Sequence, residues 1–161
     1  MENIKCIVVN PISLVNYSSF YLLGLKELFG NKVRYEYNVF RELKGSFKQC
    51  LIFEVHFENK VSRIAIDFHD STEIKDIDTL KWCDVYAKIN FNAELTLEDL
   101  SKKISTNDYI HEKSKIVSIV PSFGVRVFGK IDSLKYIIKL ISISNIDSNI
   151  RKTAVLSVLR M

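Results

Sequence analysis

The chain has 161 residues, of which 47% are hydrophobic and 26% charged, as in an ordinary globular protein. This length is enough to bury about two thirds of the surface that the unfolded chain exposes, and two prolines and five glycines indicate no disordered linker, so we expect a single domain over residues 1–161. The net charge of +4 comes from scattered lysines and arginines, which do not indicate a nucleic-acid partner.

The first third of the chain predicts a β-α-β unit. Residues 4–9 form a mostly β-branched run that stops at Asn10 and Pro11, which is typical of a buried strand in a parallel sheet. Residues 17–29 carry apolar side chains at helical spacing, and residues 33–38 complete the unit as a second strand.

A β-hairpin follows over residues 51–68. With Asn59 and Lys60 as its two-residue turn, the antiparallel register sets Val55 opposite Ile64 and makes one face of the hairpin wholly apolar. A shift by one residue would move charged side chains onto that face, so the pattern favours this alignment. The same register pairs Phe53 with Ile66 and Leu51 with Phe68.

Alternating strands and helices then resume. Helices are predicted at 74–82, 96–104, 131–143 and 147–159, and strands at 85–89 and 116–120. The fold class is therefore α/β, a Rossmann-like three-layer sandwich with a mostly parallel sheet of about six strands, one inserted hairpin and helices on both faces. The parallel strands should end along one edge of the sheet, where such folds bind ligands. We call this edge the rim; it comprises residues 10–13, 67–71, 88–92 and 121–126.

The cysteines and apolar segments indicate a cytoplasmic protein. Cys6, Cys50 and Cys83 are odd in number, far apart and set in apolar runs, which is typical of reduced core residues. The N terminus lacks the pattern of a signal peptide, and residues 134–144 are too short to cross a bilayer. An amphipathic helix that rests against the inner face of a membrane stays open as an alternative.

One rim segment, "DFHD", combines a histidine with carboxylates. In an extended backbone Asp67 and His69 point to the same side, so the carboxylate can orient the imidazole or raise its pKa. A histidine paired in this way is suited to remove a proton from a hydroxyl group as a general base. We therefore predict that Asp67, His69 and Asp70 are catalytic; the alternative is that they are solvated loop residues or helix caps.

Other polar residues of the rim are predicted to bind substrate. Tyr86 and Lys88 alternate with apolar neighbours, and Lys88 offers a point charge for a phosphate, although the same pattern fits a half-exposed strand. Arg126 in the last rim loop is suited to an anion. His56 and His111 are interpreted as structural or solvent-exposed. The predicted substrate-binding residues are Asn10, Ser13, Tyr86, Lys88, Asn90, Ser122 and Arg126.

Several common motifs are missing from the sequence. It contains neither the dinucleotide fingerprint GxGxxG nor the phosphate loop GxxxxGK[ST], which argues against an NAD enzyme or an ATPase. It also lacks a nucleophile elbow, HExxH and paired CxxC motifs, so serine hydrolases and zinc sites are disfavoured. We expect no metal and no cofactor in this chain.

At these residues the chain resembles the N-terminal half of bacterial GT-B glycosyltransferases that build surface polysaccharides. The resemblance rests on the β-α-β start that ends in "NP", the hairpin that runs into "IAIDFHD", the phrase "LKWCDVYAKIN" and the segment "IVSIVPSFGVR". As an order of elements it covers most of the chain. Members of that fold pair two Rossmann-like domains, of which the N-terminal one holds the acceptor and the C-terminal one holds the nucleotide-sugar.

The resemblance implies an acceptor-binding domain whose base is His69, Asp67 or Asp70. The length of 161 residues leaves no room for the nucleotide-sugar domain, so we expect that domain in a longer protein or in a partner subunit, and we expect the chain to be inactive alone. The acceptor would be a glycan or a lipid-linked glycan. The alternative is a non-catalytic Rossmann-like module for regulation or binding, in which "DFHD" contacts a phosphate or a partner.

Overall fold

Six strands form one mixed sheet in a computed structural model that describes residues 3–13, 15–43 and 49–121, with the backbone alone for 15–17, and single residues between 135 and 152. The strand order is β2-β1-β3-β4-β5-β6. Strand β3 is antiparallel to both of its neighbours, and the other pairs are parallel. The strands are β1 Ile4–Val9, β2 Val33–Tyr35, β3 Cys50–Phe57, β4 Val61–Asp67, β5 Val85–Lys88 and β6 Ile116–Ser118.

This arrangement confirms an α/β fold with a mostly parallel sheet and a hairpin inserted near its middle. Because β3 alone runs in the opposite direction, the carboxyl ends of the other five strands lie along one edge of the sheet. Three of those strands are shorter than predicted: β2 ends at Tyr35, before a 3₁₀ turn at Asn38–Phe40, β5 ends at Lys88, and β6 ends at Ser118.

The hairpin register differs from the predicted one by two residues. The predicted turn at Asn59 and Lys60 is wrong, because the backbone N–H of Phe57 already donates to the carbonyl of Lys60 at 2.9 Å. Side chains alternate with a period of two, so a two-residue shift keeps the same apolar face and cannot be detected from that face alone. The observed pairs are Leu51 with Ile66, Phe53 with Ile64 and Val55 with Ser62.

Four helices have both ends among the described residues: α1 Val15–Phe29, α2 Ile77–Trp82, α3 Ala93–Lys103 and α4 Thr106–Ser114. Three of these helices begin at a residue whose side chain accepts a hydrogen bond from a backbone N–H group of the first helical turn. The Asp76 carboxylate accepts from the N–H of Thr79 at 2.9 Å, so α2 begins later than predicted. Asn92 accepts from the N–H of Leu95 at 3.0 Å, so α3 begins before the predicted start at residue 96.

Helix α4 was not predicted. Its sequence "TNDYIHEKS" is mostly polar and lacks a clear apolar stripe, so periodicity gave no signal. Ser105 caps the helix by accepting from the N–H of Asp108 at 3.2 Å. The predicted helices at 131–143 and 147–159 lie outside the described residues, apart from single helical positions.

Helices pack on both faces of the sheet, so the described part of the chain has three layers. On the first face Leu22 of α1 packs against alternate strand residues, and on the second face Leu80 of α2 and Leu100 of α3 do the same. Residues next to each other in a strand therefore belong to different cores. The first core includes Ile7, Val9, Leu51, Phe53, Ile66 and Ala87, and the second includes Val8, Cys50, Ile52, Ala65 and Tyr86.

Candidate functional site

Three polar side chains lie in one row across the rim end of the sheet. Cys50 of β3 is paired with Asp67 of β4, and Asp67 is paired with Lys88 of β5. Ala65 and Tyr86, two positions earlier in β4 and β5, belong to the second core, so the period of two places Asp67 and Lys88 on the same face. The row therefore lies under the helices that cover the second core.

Asp67, Tyr86 and Lys88 form what we call the buried cluster. Lys88 Nζ lies 3.0 Å from Asp67 Oδ2, and the Tyr86 hydroxyl donates to the same oxygen at 2.8 Å. All three residues have no exposed surface. Burial of a charge is costly unless it is paired and hydrogen-bonded, and both conditions are met for the Asp67 carboxylate.

The other oxygen of Asp67 fixes the backbone that follows β4. Asp67 Oδ1 accepts from the backbone N–H of His69 at 2.7 Å, as in an Asx-turn. The expected contact between this carboxylate and the His69 imidazole is not among the hydrogen bonds of the described residues. Asp67 was predicted to orient the imidazole of His69. In the structure it instead holds the backbone of His69, at the turn that follows β4.

The His69 imidazole is half-buried at the rim. Burial lowers its pKa below the ordinary value; the negative charge of Asp67 acts in the opposite direction, and Lys88 and Lys75 lower it further. The expected upward effect of the carboxylate on this pKa is present, but the net shift is downward because burial is the largest contribution. A lowered pKa leaves the imidazole neutral near neutral pH, which is the form that accepts a proton.

Burial also keeps two neighbours of Asp67 protonated. It raises the pKa of the Tyr86 hydroxyl well above its ordinary value, and the nearby negative charge of Asp67 adds to this. Burial raises the pKa of the Cys50 thiol in the same direction, with a further contribution from Asp67. Tyr86 is therefore a hydrogen-bond donor to Asp67, and Cys50 is a buried thiol that is not poised as a nucleophile.

The loop after β4 is tied to the next two elements by its backbone carbonyls. Asn90 Nδ2 donates to the carbonyl of Asp70 at 2.7 Å, and the hydroxyl of Thr96 in α3 donates to the carbonyl of Thr72 at 2.8 Å. The side chains of Asp70 and Asn90 are exposed at the rim. Ser71 Oγ is buried and has no hydrogen-bond partner within the described part of the chain.

Asn10 and Ser13 lie at the rim end of β1, beside β3, and both are buried. Asn10 Oδ1 accepts from the N–H of Ile12 at 3.0 Å, and the backbone N–H of Ile52 donates to Ser13 Oγ at 3.4 Å. These contacts shape the turn that follows β1. Asn10 Nδ2 is buried without a partner in the described ranges, so one donor of this turn is unused.

The structure thus brings together some of the predicted site residues and separates others. Asp67, Tyr86 and Lys88 form the buried cluster, and the backbone of His69 is bonded to it. Asp70 and Asn90 meet beside it, and Asn10 and Ser13 lie beyond β3. Tyr86 and Lys88, predicted on a polar face open to substrate, are enclosed instead, because helices cover both faces of the sheet. Ser122 and Arg126 fall outside the described residues.

Sequence reasoning missed Cys50 as a neighbour of this site. Its position in β3 could have indicated it, because a hairpin register shifted by two residues pairs Cys50 with Asp67. Ser71 lies in the predicted rim segment 67–71, but no pattern in the sequence indicated that its hydroxyl is buried.

A second polar group lies on the same face, further from the rim. The buried carboxylate of Glu54 contacts His56 Nε2 at 2.8 Å and Arg63 Nε at 3.4 Å. Arg63 also lies over the Trp82 ring, with its guanidinium carbon 5.4 Å from the ring centroid. His56 thus has a structural partner, and His111 in α4 is largely exposed beside Glu112.

Other features of the described residues do not extend the site. They contain no group of His, Cys, Asp or Glu side chains that could hold a metal ion, and no helix in the same part of the chain has the length and apolar character to cross a membrane. A cavity of about 410 Å³ lies at the hairpin turn, at the opposite end of the sheet from the buried cluster. It is lined by Asn3, Phe57, Glu58, Asn59 and Lys60.

Comparison of the chain with protein-family models, with curated proteins and with solved structures found no significant match.

Proposed function

We propose that this chain is the acceptor-side, Rossmann-like domain of a GT-B glycosyltransferase and that His69 is its general base. The acceptor is a glycan or a lipid-linked glycan. The nucleotide-sugar is held by a C-terminal domain or by a partner subunit, so the chain alone does not transfer sugar. This assignment also makes the protein cytoplasmic, working at the inner face of the membrane when its acceptor is lipid-linked.

One observation carries the proposal: a half-exposed imidazole with a lowered pKa stands at the rim, directly after β4, on a backbone that buried Asp67 holds. Parallel α/β sheets bind their ligands at this edge. A general base must be neutral at working pH and must be held within reach of its substrate. His69 meets the first condition through burial and the second through the bond from its backbone to Asp67.

The chemistry follows from a neutral imidazole. An unprotonated ring nitrogen of His69 takes the proton of the acceptor hydroxyl while the hydroxyl oxygen forms a bond to the anomeric carbon of the donor sugar. The bond from that carbon to the diphosphate oxygen breaks, and the nucleoside diphosphate leaves with the electron pair. The exposed side chains of Asp70 and Asn90 lie beside this position and are suited to hold hydroxyl groups of the acceptor.

A second candidate function is a non-catalytic Rossmann-like module. It is favoured by the enclosure of Asp67, Tyr86 and Lys88, because these residues contact one another and leave no surface for a ligand. In this alternative "DFHD" is a structural turn, and His69 contacts a regulatory partner. The two functions differ in what removal of the His69 imidazole does to sugar transfer.

The test is a transfer assay with the full-length protein, or with this chain and the partner that carries the donor site. The donors are radiolabelled UDP-glucose, UDP-galactose, UDP-N-acetylglucosamine and GDP-mannose, and the acceptors are lipid-linked glycans. We expect His69→Ala to lower the transfer rate about 100-fold or more. The matched control His111→Ala changes an exposed histidine of α4 and should leave the rate unchanged. Full activity of His69→Ala would contradict the proposal.

A further inference from the structure

We infer that Tyr86 and Lys88 are positioning residues: acting through Asp67, they hold the backbone of His69 in place and do not contact the acceptor themselves. The inference rests on the proposed function, because it explains how that function's base is held. It also changes the role that the sequence suggested for these two residues, since their pattern in β5 predicted substrate binding.

The first step is that the two carboxylate oxygens of Asp67 accept hydrogen bonds from different partners. Oδ2 receives the Tyr86 hydroxyl at 2.8 Å and Lys88 Nζ at 3.0 Å, while Oδ1 receives the backbone N–H of His69 at 2.7 Å. A carboxylate is planar, so two donors on one oxygen also fix the direction of the other. The orientation of the Oδ1 bond to His69 is therefore set from β5.

The second step is that β5 is held in the sheet by its pairing with β4. Asp67 and Lys88 are partners in the parallel register, and the N–H of Ile89 donates to the carbonyl of Asp67 at 3.2 Å. The donors of Oδ2 thus project from a central strand and not from a loop. Groups held on strands keep their geometry better than groups held on loops, which is what a base needs.

The third step is the enclosure of Lys88. Neither Lys88 nor Asp67 has any exposed side-chain surface, so the ammonium cannot meet an acceptor phosphate unless it leaves the carboxylate. That movement would leave Asp67 as an unpaired buried charge, which is strongly unfavourable. The lysine that the sequence suggested for phosphate binding is already occupied by a carboxylate of its own chain.

The fourth step concerns the charges that face His69. Asp67 and Asp70 raise the pKa of its imidazole, and Lys88 and Lys75 lower it, with Asp67 having the largest effect among these charges. Burial of the ring is the largest single contribution and also lowers the pKa. Because Asp67 raises the pKa of His69 and ranks above Lys88, we expect that pKa to fall further when the Asp67 charge is removed, alone or together with Lys88.

The experiment is NMR spectroscopy of the 161-residue chain, which needs no substrate. The His69 imidazole is titrated, and hydrogen exchange of the His69 backbone amide is measured. We expect Tyr86→Phe to speed exchange of that amide roughly tenfold, because one of the donors that orient the carboxylate is gone. Asp67→Asn and the charge-free pair Asp67→Asn with Lys88→Met should both lower the His69 pKa.

Two of these variants are chosen because they should fold. Tyr86→Phe keeps the ring and the packing, and the double variant leaves no unpaired buried charge. Lys103→Met is the control, since Lys103 pairs with Asp99 at 2.8 Å in α3 and should leave the His69 signals unchanged. The inference is overturned if the His69 amide exchanges at the wild-type rate in folded Tyr86→Phe.

Kinetics of the full-length enzyme separate this inference from the proposed function. A positioning role predicts that Tyr86→Phe lowers kcat and leaves the acceptor KM unchanged, whereas a substrate contact would raise KM. If His69→Ala retains full transfer activity, the proposed base is wrong, yet the NMR result still shows whether the buried cluster holds the His69 backbone. If Tyr86→Phe leaves hydrogen exchange of the His69 amide unchanged while His69→Ala is inactive, His69 is still supported as the base. The positioning role of Tyr86 and Lys88 is then wrong.

Discussion

Asp67 and Lys88 face each other across β4 and β5, with their charged groups 3.0 Å apart and neither side chain exposed. Replacement of such a pair by apolar residues is often neutral, whereas loss of one partner leaves an unpaired buried charge. Such a pair adds little to the stability of a protein, so we explain it by the groups to which the Asp67 carboxylate is hydrogen-bonded. On one side it holds the Tyr86 hydroxyl, and on the other the backbone of His69.

The first prediction concerns stability when the ion pair is broken. Lys88→Met should lower the free energy of unfolding by about 3–5 kcal/mol near neutral pH, since Asp67 stays buried without its cation. Urea unfolding measures this loss. Lys102→Met, which removes an exposed pair with Glu98, is the control and should show no change.

The second prediction concerns the buried carboxylate of Glu54. Glu54→Gln should lower the free energy of unfolding by about 1 kcal/mol, because the negative charge that contacts His56 and Arg63 is lost. The effect is modest because solvent screens the partly exposed guanidinium of Arg63. Thermal unfolding monitored by circular dichroism gives the value. Glu58→Gln changes an exposed carboxylate at the hairpin turn and serves as the comparison. Equal effects in the two variants would show that the contacts of Glu54 do not stabilise the fold.

The third prediction concerns the start of α3, the helix that covers the second core. Asn92→Ala should cost about 1 kcal/mol, because the N–H of Leu95 loses the side-chain acceptor that lies 3.0 Å away. Asn107→Ala replaces an exposed asparagine inside α4 and should not destabilise the protein, since alanine favours a helix interior. The two free energies are compared by denaturant unfolding, and a loss that is no larger for Asn92→Ala would reject the cap.

The fourth prediction concerns the cysteines. Iodoacetamide at about pH 8 should modify Cys6 in the folded protein and leave Cys50 and Cys83 untouched. Cys6 is partly exposed, while burial raises the pKa of Cys83 to about 12 and that of Cys50 well above its ordinary value. Mass spectrometry counts the modified sites, and Cys6→Ser should abolish the labelling. Rapid modification of Cys50 in the folded chain would contradict the enclosed row at the rim.

Much of the fold could be predicted from the sequence because local patterns determine it. The mostly β-branched run in β1 and the alternation in β3 and β4 identified central strands, and the one apolar face of the hairpin followed from its period of two. The same period hides a two-residue register shift, and the turn at Glu58 and Asn59 has no glycine that would fix the alignment.

Part of the candidate site could not be predicted, because it depends on contacts between elements that are distant in sequence. "DFHD" identified the place where β4 ends, but the burial of Tyr86 and Lys88 follows from helices that cover both sheet faces. A lysine between apolar strand residues looks the same in sequence whether it meets solvent or a buried carboxylate. The partner of Lys88 lies 21 positions away in the chain, and only the sheet order brings the two together.

The central claim, that His69 is the base, is tested most directly by the pH dependence of kcat/KM in the full-length or partner-complemented enzyme. Wild-type activity should rise with pH through an apparent pKa below the ordinary value of an imidazole, because burial lowers the pKa of His69 and only the neutral ring accepts a proton. In His69→Gln that acid limb should vanish together with most of the rate. An unchanged acid limb and rate in His69→Gln would contradict the account.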